Sequence, residues 1–157
     1  MPRNFKATDI YLRPDPKFGS MLATKIINKI MLDGKRSTAQ KIFYQAIDKA
    51  NSKLEAESLE EIFEKAIDNI RPQVEVRSKR VGGANYQVPR EVKRNRQQTL
   101  AIRWLIDNAR KKKGKPMADR LAEELVDAFN GTGTSVAWKE QIHKMAEANK
   151  AYAHYAR

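Results

Sequence analysis

An all-α fold, a single bundle of about six helices with one protruding β-hairpin, is what this sequence predicts, and three observations carry it. Apolar residues recur at helical spacing almost throughout, in segments opened by capping residues and closed by glycine or proline. Strict alternation is confined to one stretch, where Val74 and Val76 alternate with Glu75 and Arg77 and then Tyr86 and Val88 alternate on the return. The connections are short, so consecutive helices should pack as neighbours in one domain of 157 residues.

Residues 1–18 hold Pro2, Pro14 and Pro16 with Arg3, Lys6, Arg13 and Lys17, which predicts an extended basic arm, because proline denies it a continuous helix. Ser20 caps a first helix carrying Leu22, Ile26 and Ile30, and Asp33-Gly34 stops it. Lys35-Arg36 forms a tight corner, after which Ser37 and Gln40 make a capping box for a second helix. Its inner face is Ile42, Phe43, Ala46, Ile47, Ala50 and Leu54. A second capping box, Ser58 with Glu61, opens a third helix with Leu59, Ile62, Phe63, Ala66, Ile67 and Ile70 on one side. Pro72 ends it.

The hairpin spans 73–89. Gly82-Gly83-Ala84-Asn85 tolerates positive φ and reverses the chain. Arms of about eight residues would reach roughly 25 Å. A long helix then runs from about Glu91 to Lys113, burying Leu100, Ala101, Trp104, Leu105 and Ala109. Pro116, at a first-turn position, starts a fifth helix with Met117, Leu121, Ala122, Leu125, Val126 and Phe129 inward, and Asn130-Gly131 terminates it. Residues between Thr132 and Ser135 cap a last helix with Trp138, Ile142, Met145, Ala148 and Tyr152 along one stripe.

Charge decides the class of partner. The net charge is +12 and the sequence pI about 10.0, a balance suited to a polyanion. The acids are gathered at Glu55, Glu57, Glu60, Glu61, Glu64 and Asp68, a segment expected to face water or protein. The cations sit elsewhere. Arg77, Lys79 and Arg80 approach the hairpin turn, and Arg90, Lys93, Arg94 and Arg96 follow the return strand. Arg110, Lys111, Lys112, Lys113 and Lys115 place five cations in six positions with no acid among them, more than a helix C-terminus requires, which favours phosphate contact. Arg103 lies on a stripe with Arg96 and Arg110 and either joins that contact or pairs with Asp107. Lys25 and Lys29 form a weaker pair on the first helix.

Catalytic chemistry is not supported. Cysteine is absent, which removes disulfides, thiolate metal sites and thiol nucleophiles. His143 and His154 are eleven residues apart on one expected helix, about 16 Å along its axis, too far to share a metal ion. Gly131-Thr-Gly133 follows a helix rather than a strand and lacks the lysine of a phosphate loop. Glu123 and Glu124 are adjacent and diverge around the helix. The chain is expected to be no enzyme and to need no metal or cofactor. No apolar run approaches the roughly 20 residues of a membrane span, and Met1-Pro-Arg-Asn-Phe-Lys6 lacks a signal-peptide core, so a cytoplasmic location is expected.

Separated basic elements that surround a broad surface suit a folded RNA with several converging helices better than a duplex. Tyr86 near the tip either stacks on a base or packs across the strands. A DNA-bending arm is the competing reading, but it calls for an apolar wedge at the tip, and Gly83-Ala84-Asn85 has none.

Pro14-Asp-Pro-Lys-Phe-Gly19, Asp33-Gly-Lys-Arg-Ser-Thr38, Arg71-Pro-Gln-Val-Glu-Val76, Arg80-Val-Gly-Gly83, Tyr86-Gln-Val-Pro89, Ala101-Ile-Arg-Trp104 and the run His143 to Tyr155 stand in an order and spacing that resembles the bacterial small-subunit ribosomal protein seven family. The resemblance covers nearly the whole chain. It implies a single ribosomal RNA-binding domain over 1–157. It further implies direct binding of the three-prime major domain of small-subunit rRNA, nucleation of head assembly, and a position in the ribosome near the messenger channel and exit-site tRNA. Small-subunit ribosomal proteins nine, eleven, thirteen and nineteen are the implied neighbours.

On this reading Arg3, Lys6, Lys25, Lys35, Arg36, Arg77, Arg90, Lys93, Arg94, Arg96, Arg110, Lys111, Lys112, Lys113 and Lys115 are the expected rRNA contacts. Lys79, Arg80, Gly82, Gly83, Asn85 and Tyr86 form the hairpin end expected near tRNA and mRNA.

Overall fold

In the computed structural model, which describes residues 11–54 and 58–156, the apolar periodicities resolve into six α-helices and one antiparallel hairpin. The helices are α1 Met21–Ile30, α2 Arg36–Leu54, α3 Leu59–Ile70, α4 Arg94–Lys111, α5 Met117–Phe129 and α6 Gly133–Ala148. The strands β1 Val74–Val81 and β2 Ala84–Glu91 lie between α3 and α4, and a 3₁₀ segment, Lys150–Ala156, follows α6.

Local signals account for several boundaries. The Ser20 hydroxyl accepts from the Ala23 N–H at the start of α1, and Ser58 accepts from Glu61 N–H at the start of α3, so each satisfies an orphan donor of a first turn. Asn130 caps α5, with Gly131 at φ 72 behind it. Ser37 does not cap α2. The helix already begins at Arg36, supported by the Ala39 N–H bond to the Lys35 carbonyl, so Ser37 sits within its first turn. The α1 helix ends at Ile30, ahead of the turn where Asp33 and Gly34 take φ 51 and 70. Pro116 stands just before α5, as its N-cap.

All six α-helices contribute to the core, α6 through Val136 alone. Ile26, Ile27, Phe43, Ile47, Ile62, Phe63, Ile67, Leu105, Ile106, Leu121 and Leu125 are fully buried, each stabilising the fold by about 1.5–3 kcal/mol. The α5 helix touches α2, α3, α4 and α6 and is the hub of the bundle. In the described part of the basic arm, residues 11–18, Asp15 and Phe18 are buried against the body. Phe18 packs edge-on against Phe43, Tyr44 and Phe63 at centroid distances of 5.9, 5.7 and 5.7 Å. The Asp15 carboxylate accepts from the Tyr44 hydroxyl at 2.8 and 3.0 Å and from the N–H groups of Lys17 and Phe18. Burial, reinforced by that carboxylate, pushes the Tyr44 hydroxyl up to about 12.

The hairpin register runs from Val74 opposite Glu91 to Val81 opposite Ala84, so the turn is Gly82-Gly83 alone. Both glycines have positive φ, +56 and +88, the handedness that matches a two-residue turn to the twist of its strands. Pairing through Glu91 delays the start of α4 to Arg94, three residues beyond the expected one, and α4 ends at Lys111 rather than Lys113. The alternation also reads differently in three dimensions. Glu75 is the buried residue of β1, while Val74 and Val76 are only half covered.

The C-terminal stripe is the main departure. The α6 helix buries Ser135, Val136 and Ala146, whereas Trp138 and Met145 remain 40% exposed and Tyr152 37% exposed. The helix stops at Ala148, so Tyr152 leaves the expected helical face and joins the 3₁₀ segment. That segment lies along β2, and α6 lies against β1, so the C-terminal elements brace both strands of the hairpin.

Candidate nucleic-acid interface

The expected cations separate into those held inside the protein and those presented outward. Arg3 and Lys6 lie outside the described residues. Lys35 and Arg36 are exposed at the α1–α2 corner, and Arg36 shares a surface hollow with Arg13.

At the hairpin base four of the expected residues converge. Arg77, Arg90, Lys93 and Arg96 line a notch of about 430 Å³ with Glu75, Glu91 and Val92. Glu75 organises it: its carboxylate accepts from Arg77 Nε at 2.6 Å and from Arg96 Nε at 2.8 Å, joining the strand to α4. Two carboxylates against four cations leave an excess of positive charge there.

The start of α4 adds to that excess. Lys93 is its N-cap without a side-chain capping bond, Arg94 and Arg96 follow, and no acid occupies the first turn. The N-terminal end of a helix is already the positive pole of its dipole, so cations there are unfavourable until an anion arrives. Lys93, Arg94 and Arg96 are all exposed.

Further along α4, Asn95, Thr99, Ile102 and Arg103 face Lys25, Asn28 and Lys29 of α1 across a cleft of about 330 Å³. The spacing i, i+4, i+7, i+8 on one helix and i, i+3, i+4 on the other puts both sets on facing sides. Lys25 Nζ donates to Gln98 Oε1 at 3.2 Å. Arg110 fixes the separation of the two helices, its Nη2 donating to the carbonyls of Lys29 and Ile30 at 3.2 and 3.3 Å, where α1 ends. Of these residues the sequence singled out Lys25, Lys29, Arg103 and Arg110. Asn28, Asn95 and Thr99 carry no signal until α1 and α4 are seen to pack.

The Arg110–Lys115 run is not the uniform acid-free cluster that its local sequence suggests, because α5 supplies carboxylates. Lys112 Nζ meets Glu124 Oε2 at 2.9 Å and Asp127 Oδ2 at 3.7 Å. Lys115 pairs with Glu123, which raises the ammonium and lowers the carboxyl through their hydrogen bond. Lys111 donates to Asn108 Oδ1 and lies 5.4 Å from the Trp138 ring centroid. Arg120, unremarked in the sequence, donates to the carbonyls of Arg110 and Lys112 and closes the end of α4. Lys113 is exposed.

Glu124 is fully buried, and it does what Thr132 does not. Thr132, the N-cap of α6, makes no side-chain capping bond. Glu124 instead accepts from Ser135 N–H at 2.9 Å, Ser135 Oγ at 2.7 Å and Thr134 Oγ1 at 3.1 and 3.0 Å. Burial pushes its carboxyl up, but the bonds from Ser135 and Lys112 outweigh this and hold it below the usual range.

At the hairpin end, Arg80 and Asn85 are exposed around Gly82-Gly83. Lys79 Nζ donates to the Tyr155 carbonyl at 2.7 Å. Tyr86 packs neither across the strands, where Lys79 is its partner, nor outward: its ring lies 5.0 Å from Tyr152 and 5.5 Å from Tyr155. His143 is likewise engaged, its Nε2 accepting from Gln73 N–H at 3.1 Å. Among the described residues no group of three or more His, Asp or Glu side chains is placed to hold a metal ion, and no helix is long and apolar enough to cross a membrane.

The sequence model of the family described as ribosomal protein S7p/S5e matches residues 2–150. The chain is 56% identical over 155 residues to the small ribosomal subunit protein uS7 of Symbiobacterium thermophilum, covering 99% of each chain. It is 53% identical over 153 residues to that of Fervidobacterium nodosum, with 98% of each covered. To the protein of Pseudoalteromonas translucida it is 56% identical over 155 residues, again with 99% of each chain covered.

Proposed function

The chain belongs to the ribosomal protein S7p/S5e family, and from that premise we propose that its basic surface binds the three-prime major domain of small-subunit rRNA directly and nucleates folding of the head. The protein is a structural constituent of the small ribosomal subunit and not an enzyme. The observation that carries the RNA reading is the gathering of Arg77, Arg90, Lys93 and Arg96 at the hairpin base, continuous with the acid-free first turn of α4. Phosphate at that end would satisfy cations and helix dipole together. Lys25, Lys35, Arg36, Arg94, Lys111 and Lys113 extend the contact, with Arg3 and Lys6 of the N-terminal segment.

Lys112 and Lys115 each have a carboxylate of α5 and Arg110 the end carbonyls of α1, so these three contribute through shape, whereas at the hairpin base four cations share two carboxylates and keep an excess of charge. The exposed end of the hairpin, Lys79 to Asn85, is assigned to the messenger channel and exit-site tRNA, and proteins nine, eleven, thirteen and nineteen of the small subunit are the proposed neighbours. The resemblance of the motifs supports these finer placements.

The test is competition between a multihelix fragment of that rRNA domain and a DNA duplex of equal length at one salt concentration. Preferential binding of the RNA fragment is expected. Equal affinity would reduce the surface to a non-specific polyanion site.

A further inference from the structure

Resting on the RNA-binding reading, we propose that the α1–α4 cleft takes one unpaired, extruded nucleotide of the RNA and reads its base. Three features of the cleft point beyond phosphate binding. Its volume of about 330 Å³ lies at the small end of ligand pockets, about 300–1,000 Å³, room for a single nucleotide. Its lining combines cations with neutral amides: Lys25, Lys29 and Arg103 carry charge, Asn28 and Asn95 each offer a donor and an acceptor, and no carboxylate is present. Ile102, buried at 4% exposure, closes the floor of the cleft with an apolar group, so the methylene stems of Lys25, Lys29 and Arg103 make up most of the apolar wall a base would lie against.

A phosphate site needs only the cations. Amides on two opposed helices, with an apolar side chain between them, match the polar edge and flat face of a nucleobase. Lys29 and Arg103 would take the flanking phosphates. The cleft is also rigid, since Arg110 ties α4 to the last carbonyls of α1. Base readout therefore requires no rearrangement of the bundle.

The test is a coupling measurement on the full-length chain, using the three-prime major domain fragment with single unpaired nucleotides made abasic in turn. The comparison protein is Asn28→Ala/Asn95→Ala, whose two positions are half-buried and exposed, so that helix content by circular dichroism should match the parent. One abasic position should weaken binding by the parent chain about tenfold and leave binding by the double variant unchanged. Both proteins should keep the same salt dependence, because no cation is altered. Equal abasic penalties in parent and variant at every position would overturn the cleft while leaving RNA binding intact. Absence of any preference for the RNA fragment over duplex DNA would overturn the proposed function, and the cleft with it.

Discussion

Glu124 and Ser135 belong to different helices, yet the carboxylate of the first takes both the N–H and the hydroxyl of the second, at 2.9 and 2.7 Å. A side chain of α5 thus caps α6 and, through Lys112, ties both to the end of α4. Two helix ends depend on one buried anion of a third helix.

Replacing Glu124 by alanine should therefore cost about 3–5 kcal/mol, the range for removing one partner of a buried ion pair. The sign of its pH dependence follows from the lowered carboxyl. That stabilisation is present above the ordinary glutamate value of 4.5 and is lost as pH falls through the folded value. Urea unfolding of the parent and Glu124→Gln between pH 7 and pH 3 checks this, and the stability gap between them should close on acidification.

His143 supplies a second titration of the same sign, at higher pH. Burial, with the Lys139 charge behind it, lowers its imidazole below 6.5, and the bond from Gln73 N–H requires an unprotonated Nε2. The unfolded chain consequently takes up a proton first as pH falls below about 6.5, and stability declines until the folded group titrates too. His143→Gln should abolish that decline between pH 7.5 and 5.5 in denaturant unfolding. His143→Gln/His154→Gln should still assemble and translate. Failure of correctly assembled particles to translate would assign the histidines a role in function.

Tyr86→Ala should release the C-terminal 3₁₀ segment. Each aromatic contact to Tyr152 and Tyr155 contributes about 0.5–1.5 kcal/mol, so amides of 150–156 should exchange faster while those of the β1–β2 ladder keep their protection. Hydrogen exchange read residue by residue decides it. Unchanged exchange at the C-terminus would mean that the Lys79 bond to the Tyr155 carbonyl holds the segment unaided.

How far the sequence could be read follows from which interactions are local. Ser20, Ser58 and the Gly82-Gly83 turn act on neighbours within a few residues, and the periodic faces of α2 and α3 need only their own spacing. The start of α4 lies three residues beyond its expected place because Glu91 pairs with Val74, seventeen positions back. Lys112 looked free of acids because Glu124 stands on the next helix. The stripe of Trp138, Met145 and Tyr152 calls for cover by the body or by an adjoining partner, and within the chain the body covers Val136 and Ala146 instead. Cations at the hairpin base were legible as candidates. Their meeting around Glu75 was not, since it depends on a contact between β1 and α4.

The exposed end of the hairpin is expected to serve translation more than assembly. Deleting Lys79 to Asn85, with a short replacement turn, leaves Glu75, Arg77, Arg90 and Arg96 in the sequence. Small subunits should still form, with weakened exit-site tRNA retention or accuracy of reading. Particles that fail to assemble, while the few that form translate normally, would reverse this division.

On the proposed RNA interface, outward cations at the hairpin base and the start of α4 meet phosphate, whereas Lys112 is already neutralised by Glu124. The slope of log affinity for the rRNA fragment against log salt measures it directly. Each lost phosphate contact lowers that slope by about 0.7–0.9, so Lys93→Ala/Arg94→Ala should lower it by roughly 1.5 and Lys112→Ala should leave it where it was. An unchanged slope in the first variant, or an equal fall in the second, would contradict the account.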